Sequence, residues 1–241
     1  MSLLADGPRS LGTVSRDWLR AGANRLRRLA EPDLASFDVI GHWDRHYAAG
    51  GTSGDGNYGR LGEFKVGVLS DFVARNAITS CIEFGCGDGR ILGLVSWPRY
   101  IGLDVSVVAV TSCINRYAND PTKSFFLYHP GCFVDRGGVL QADVAVSLDV
   151  VYHVTDDRLY DLYMKDLCSA ARRFVVLYST DYDLIAVPRF RHRKVTTWMA
   201  SHAAGFHLMR RVPGPFPGNG PGKSDAEFLF YERSEAVAGC P

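Results

Sequence analysis

Cys81-Ile82-Glu83-Phe84-Gly85-Cys86-Gly87-Asp88-Gly89-Arg90 is the stretch on which the fold turns. Its apolar start predicts a buried strand over Ser80 to Phe84, and the glycines that follow break that strand into a turn. A helix is expected to open directly behind it, over Arg90 to Val95. Glycines in such a turn let backbone approach a ligand closely, and amides exposed at a helix start favour negative groups. Alternating glycines also occur in many purely structural turns, so their position has to strengthen the signal. Here they lie at the carboxyl end of the first sheet strand, where open α/β folds bind ligands.

The next strand, Tyr100 to Val105, ends in Asp104, 17 positions after Gly87. A carboxylate there can accept hydrogen bonds from both hydroxyls of an adenosine ribose. Capping of the helix over Val107 to Tyr117 is its alternative use. Further strands are predicted over Lys123 to Tyr128, Asp143 to Val150 and Phe174 to Thr180, with a helix over Asp157 to Arg172. This βαβ rhythm implies a mostly parallel, Rossmann-like α/β sheet covered on both faces. Beyond the helix over Lys194 to Ala204, strands Phe206 to Arg211 and Glu227 to Tyr231 follow without a helix between them. They suggest an antiparallel pair at the edge of a seven-stranded sheet.

Ahead of the first strand, Leu61 to Asn76 reads as a helix with Leu61, Phe64, Val68, Phe72 and Val73 on one face. Residues 1–60 are expected to form an N-terminal helical cap and lid segment, and 61–241 the main domain. Val14 to Ala30 is a candidate helix with five arginines, a partner-docking element or a capping helix with solvated charges. The glycine-dense run from Gly50 to Gly59 has the freedom of a binding lid.

The formal charge of +1 argues against a general nucleic-acid or acidic-membrane binder. Six scattered cysteines without a CxxC pair read as reduced thiols. No run approaches the roughly 20 apolar residues that span a bilayer, and the first residues lack a signal-peptide core. The expected compartment is the cytoplasm.

Ile82-Glu83-Phe84-Gly85-Cys86-Gly87-Asp88-Gly89, with Asp104 on the second strand, resembles the class I S-adenosylmethionine-dependent methyltransferases. The resemblance covers about residues 60–232, including the antiparallel tail. A dinucleotide-binding GxGxxG fits the glycine spacing and the preceding acid less well. The resemblance implies S-adenosyl-L-methionine as cofactor, with Glu83, Gly85, Cys86 and Gly87 around its methionine part and Asp104 and Val105 at the ribose. Tyr58, Arg60 and Asp149 complete the expected cofactor-binding set. Adenine contacts are open, because Tyr128-His129-Pro130 carries no acid; His129 is a candidate replacement.

The fourth strand leads into Asp149, Tyr152 and His153, at the end that faces the transferred methyl in this family. A neutral histidine can take the proton of an attacking alcohol, so His153 is the candidate general base and Asp149 its partner. A histidine hydrogen-bonded in the pocket wall is the competing reading. Asp149, Asp181 and Asp183 are a candidate Mg²⁺ set, or hydrogen-bonded turn residues. Arg189, Arg191, His192, Arg193 and Lys194 form a basic run, an anion site or a solvated helix entry.

The segment Trp43-Asp44-Arg45-His46-Tyr47 through Arg60 resembles the lid of bacterial methyltransferases associated with glycan modification. Tyr47, Tyr152 and Asp181 are the candidate acceptor-binding residues. The expected activity is O-methylation of a sugar or oligosaccharide hydroxyl, in a setting such as polysaccharide biosynthesis. N-methylation of an amino sugar or small amine, and a non-catalytic cofactor-binding scaffold, are the alternatives. Expected partners are the acceptor and a second copy of the chain in a homodimer, with no nucleic acid.

Overall fold

The computed structural model describes residues 37–187, 189–218 and 222–234. Contacts divide the chain into Met1–Asp33 and Leu34–Pro241, and every described residue lies in the second unit. The helix expected over residues 14–30 falls outside the described residues.

Seven strands form one sheet: β1 (Cys81–Phe84), β2 (Tyr100–Asp104), β3 (Lys123–Leu127), β4 (Ala142–Leu148), β5 (Ala171–Ser179), β8 (Phe206–Pro213) and β9 (Glu227–Arg233). Their order is β3-β2-β1-β4-β5-β9-β8, with β9 antiparallel to both neighbours and the other pairings parallel. The expected seven-stranded sheet with an antiparallel terminal pair is therefore present. Helices α1 (Val39–Ala48), α2 (Gly59–Arg75), α3 (Val107–Arg116), α4 (Asp157–Ala170) and α5 (Val195–His202) accompany it. Among the described residues, no helix is long and apolar enough to cross a membrane.

Side chains alternate across the strands, as the pleat requires. Ile82, Phe84, Val175, Leu177 and Leu229 pack on one face with Tyr163, Met164 and Leu167 of α4. Cys81, Val144, Val146, Phe174, Val176, Phe228 and Phe230 pack on the other with Leu69 and Phe72 of α2. Both faces of the central strands are buried, which explains their near-continuous apolar sequences. The chain enters β1 and later returns on its other side as β4, so connections leave in opposite directions from the carboxyl ends of β1 and β4. A crevice opens at such a switch point.

Three local expectations are corrected. Arg90–Val95 forms turns, not a helix: Gly93 weakens helix there and Pro98 disfavours it just beyond. The buried face of α2 is wider than the predicted stripe: Leu61, Gly62, Lys65, Leu69 and Phe72 are buried, and Phe64, Val68 and Val73 pack partly buried against the same core. Between β5 and α5 lies a hairpin absent from the sequence reading, β6 (Leu184–Val187) with β7 (Phe190–His192).

Phe72 is 2% exposed and meets the rings of Phe174 and Phe230 at 5.3 and 4.9 Å between centroids. Phe72→Ala is expected to cost about 3–5 kcal/mol in urea unfolding with the denaturant slope unchanged. A loss below about 1 kcal/mol would show that α2 contributes little to the core.

Candidate functional site

A cavity of about 560 Å³ opens at the carboxyl ends of β1, β2 and β4. Gly85, Gly87, Asp104 and Val105 line one part of it, Tyr128, His129 and Pro130 another, and Asp149, Tyr152 and His153 a third. Its size suits a small organic ligand.

The glycine turn is held from beneath and above. Asp104 accepts the Gly87 amide at 2.9 Å through one oxygen and the Ser106 amide at 2.9 Å through the other. Burial raises the Asp104 carboxyl to about 6, against the lowering effect of these amides. Gly87 has φ +54°, and a Cβ there would collide with the Ser53 hydroxyl and lie 2.7 Å from the Tyr47 hydroxyl. Gly85, at φ +83°, has the same constraint against the Val150 side chain. These two positions are glycine because backbone must pass where any side chain would sit.

Glu83 and Cys86 do not line the cavity. The pleat turns Glu83 into the core, 6% exposed, where its carboxylate accepts from the Tyr100 hydroxyl at 2.5 Å. Burial raises it to about 7, countered by Tyr100 and by the charge of Lys65. The Cys86 thiol is buried beside the position where a Cβ on Gly102 would fall.

The segment ahead of α2 lies across the turn. Asp38 caps α1 by accepting the Gly41 amide at 2.8 Å, which starts the helix that presents His42, Trp43, His46 and Tyr47 to the cavity. The Asp44 carboxylate accepts from the Ser106 hydroxyl at 2.6 Å, fixing α1 against the start of α3. Ser53 donates its hydroxyl to Asp88 at 2.6 Å and accepts the Asp88 amide at 3.0 Å. The glycine-rich run is thus tied directly to the turn it covers. Tyr47 adjoins Gly87, and burial, then the nearby Asp104 charge, pushes its phenol pKa up.

Tyr58 and Arg60 stand outside the cavity lining. The Tyr58 hydroxyl donates to Asp88 at 3.3 Å, and the Arg60 guanidinium lies 4.1 Å from the centre of the Phe216 ring.

Beyond β4 the chain makes a sharp bend. Asp149 takes φ +59°, a left-handed conformation that aspartate tolerates better than most residues. Its carboxylate pairs with Lys65, whose side chain is fully buried, and accepts from the Tyr152 hydroxyl at 2.8 Å. Lys65 also donates to Asn57 Oδ1 at 2.9 Å and lies 4.6 Å from the centre of the Tyr178 ring. One ammonium therefore joins α2, the glycine-rich run and the bend after β4. The sequence signal was available: Lys65 stands four residues from both Leu61 and Leu69, inside the buried stripe.

His153 follows in a short 3₁₀ turn, Val151–His153. Its ring meets Trp43, Tyr152 and Phe190 at 5.1, 4.7 and 4.8 Å between centroids. Nδ1 donates to the Arg189 carbonyl at 3.4 Å, an arrangement that leaves Nε2 as the unprotonated nitrogen. Burial lowers its pKa to about 4, only partly offset by that hydrogen bond and the Asp149 charge. The imidazole is neutral at pH 7.

The three aspartates proposed for Mg²⁺ are not brought together. Asp181 accepts from the Thr196 amide at 2.9 Å and from Arg211 at 3.0 Å, and Asp183 accepts the Lys194 amide at 3.0 Å. Both serve the start of α5 and its surroundings, while Asp149 is neutralised by Lys65. Among the described residues, no group of three His, Cys, Asp or Glu could hold a metal ion. Asp181 does not line the cavity, whereas Tyr47 and Tyr152 do.

No protein-family model and no curated protein matches the chain. Solved structures do. The N-methyltransferase NodS from Bradyrhizobium japonicum, in complex with S-adenosyl-L-homocysteine, aligns over 83% of this chain and 100% of its own, with TM-score 0.65 and 15% identity. Magnesium protoporphyrin IX methyltransferase (ChlM) from Synechocystis, also with bound S-adenosyl-L-homocysteine, aligns over 91% and 98%, with TM-score 0.55 and 15% identity. The methyltransferase domain of bacterial CtHen1 aligns over 70% and 96%, with TM-score 0.56 and 18% identity. The chain has the Rossmann-like fold of class I methyltransferases.

Removing one partner of a buried ion pair leaves the other charge unmatched. Lys65→Met should cost about 3–5 kcal/mol in denaturant unfolding, and Lys65→Met combined with Asp149→Asn distinctly less. Equal losses in the single and double variants would mean that the pair is not the coupling element.

Proposed function

We propose that the chain is an S-adenosyl-L-methionine-dependent methyltransferase acting on a hydroxyl of a small acceptor, a sugar or oligosaccharide first. The observation that carries this reading is a single cavity that joins Gly85, Gly87 and Asp104 to the neutral imidazole of His153.

The residues present fit the cofactor. The backbone of Gly85 and Gly87 lines the cavity and would accommodate its methionine part. Asp104 keeps acceptor capacity for ribose hydroxyls beyond the two amides it already takes. His129 accepts the Gly131 amide through Nδ1 at 3.0 Å, so its other nitrogen carries the proton and can donate to adenine. Tyr47 and Ser53 close over the turn.

S-adenosyl-L-methionine supplies a methyl group already activated by its sulfonium, so the protein contributes positioning and proton transfer. His153 accepts the acceptor's hydroxyl proton on Nε2, while its Nδ1 bond to the Arg189 carbonyl sets the ring orientation. Trp43, Tyr152 and Phe190 surround that ring and offer flat apolar surfaces suited to a sugar. Asp149 positions Tyr152 and is itself positioned by Lys65.

Calorimetry should detect S-adenosyl-L-homocysteine binding to the full chain and at least a tenfold loss in Asp104→Ala, about 1.4 kcal/mol; no heat with folded protein overturns the reading. With labelled S-adenosyl-L-methionine and panels of sugars and amines, His153→Ala should lower turnover of a hydroxyl acceptor by roughly 10²–10⁴. Because the His153 pKa is lowered to about 4, the wild-type rate should hold at mildly acid pH and fall only as pH approaches that value. A fall centred near the ordinary imidazole value of about 6.5 would exclude His153 as base.

A further inference from the structure

The cavity's charges are unevenly matched. Its acidic lining residues are Asp55, Asp104 and Asp149. Asp149 is paired with Lys65, Asp104 takes two backbone amides, and Asp55 is exposed in the glycine-rich run with no salt bridge among the described residues. Arg189 and Lys223 are exposed cations on the same lining, and among the described residues neither makes a salt bridge. The other arginines of the basic run are satisfied: Arg191 and Arg193 pair with Asp157 at 2.9 and 3.1 Å. Arg189 therefore differs from its sequence neighbours.

Arg189 also stands at the reacting end. Its carbonyl holds His153, and its guanidinium lies 5.4 Å from the centre of the Phe190 ring. Its charge adds to burial in lowering the pKa of both His42 and His153. Lys223 belongs to the wall formed by Gly222–Ser224.

We propose that the acceptor is an anionic hydroxyl compound, whose phosphate or carboxylate docks on Arg189 while its hydroxyl lies at His153. The proposal rests on the methyltransferase reading above. A guanidinium presents parallel donors that match either oxyanion. Charge balance during transfer supports the same class. The acceptor oxygen–methyl bond forms as the sulfur–methyl bond breaks, sulfur keeps the bonding pair, and the hydroxyl proton passes to His153. Positive charge thus leaves sulfur and appears on an imidazole beside Arg189. An oxyanion on Arg189 offsets that repulsion, and the surrounding rings strengthen it by excluding water. A protonated amine would meet Arg189 with like charge, which disfavours amine acceptors.

The test uses the full chain saturated with S-adenosyl-L-homocysteine and titrated at low salt with glucose 6-phosphate, glucuronate and glucose. NMR follows the Arg189 Nε–H and the His153 and His42 rings. Saturable shifts with at least one anion and none with glucose are expected, and the tighter anion distinguishes phosphate from carboxylate. Arg189→Gln should weaken the anion by about tenfold and leave S-adenosyl-L-homocysteine affinity unchanged. Shifts with neither anion, equal anion binding by Arg189→Gln, or equal binding of glucose would overturn the proposal. Failure of S-adenosyl-L-homocysteine itself to bind would remove the cofactor reading, and this proposal with it.

Discussion

The bond from the Gly87 amide to Asp104, 2.9 Å long and buried, joins the turn after β1 to the end of β2. It matters because the sheet changes direction between β1 and β4, so the turn would otherwise stand at the lip of an open crevice. A carboxylate is costly to bury alone, and Asp104 is kept there by two amides. Asp104 also lines the cavity. One side chain therefore both fixes the turn and lines the cavity beside it.

The covering segment uses the same economy. Ser53 both gives to and takes from Asp88, and Asp44 takes from the hydroxyl that caps α3. Each contact satisfies a polar group that the turn or a helix start would expose. At the other end, Lys65 is a buried cation whose desolvation has to be matched, and Asp149, Asn57 and the Tyr178 ring together match it. Asn57 belongs to the covering segment and Asp149 to the bend after β4. Displacing either would strip a partner from a charge that cannot reach water.

Much of this was legible in the sequence. The strands of the parallel core and the terminal pair follow from apolar runs and turn residues, all local signals, whereas the cap of α3 is Ser106 and not Asp104, the residue considered for it. Asp104 and His153 were singled out by their spacing from strand ends, and both line the cavity. The place expected for Glu83 came from the family motif alone; strand alternation turns its side chain inward to Tyr100, outside the cavity lining. Lys65 escaped because a lysine on a helix reads as solvated, and its burial is decided by residues 8 and 84 positions away. The helix expected behind the glycine turn followed from the strand–turn pattern, but in the fifteen-residue connection between β1 and β2 Gly93 and Pro98 disfavour it.

Net charge was the least informative reading of all. A formal value of +1 describes the far field, which governs long-range encounter, and says nothing of how charge is arranged within a cavity. Here the carboxylates of Asp104 and Asp149 lie where backbone amides and Lys65 can match them, while Arg189 is matched by none in the described residues. The Arg191 and Arg193 side chains a few positions away show that counter-ions were available to this hairpin. An exposed arginine is cheap to leave unpaired in water, so stability alone gives no reason to pair it. Excluding that water would strengthen the field of the Arg189 charge, which already adds to burial in lowering the His153 pKa.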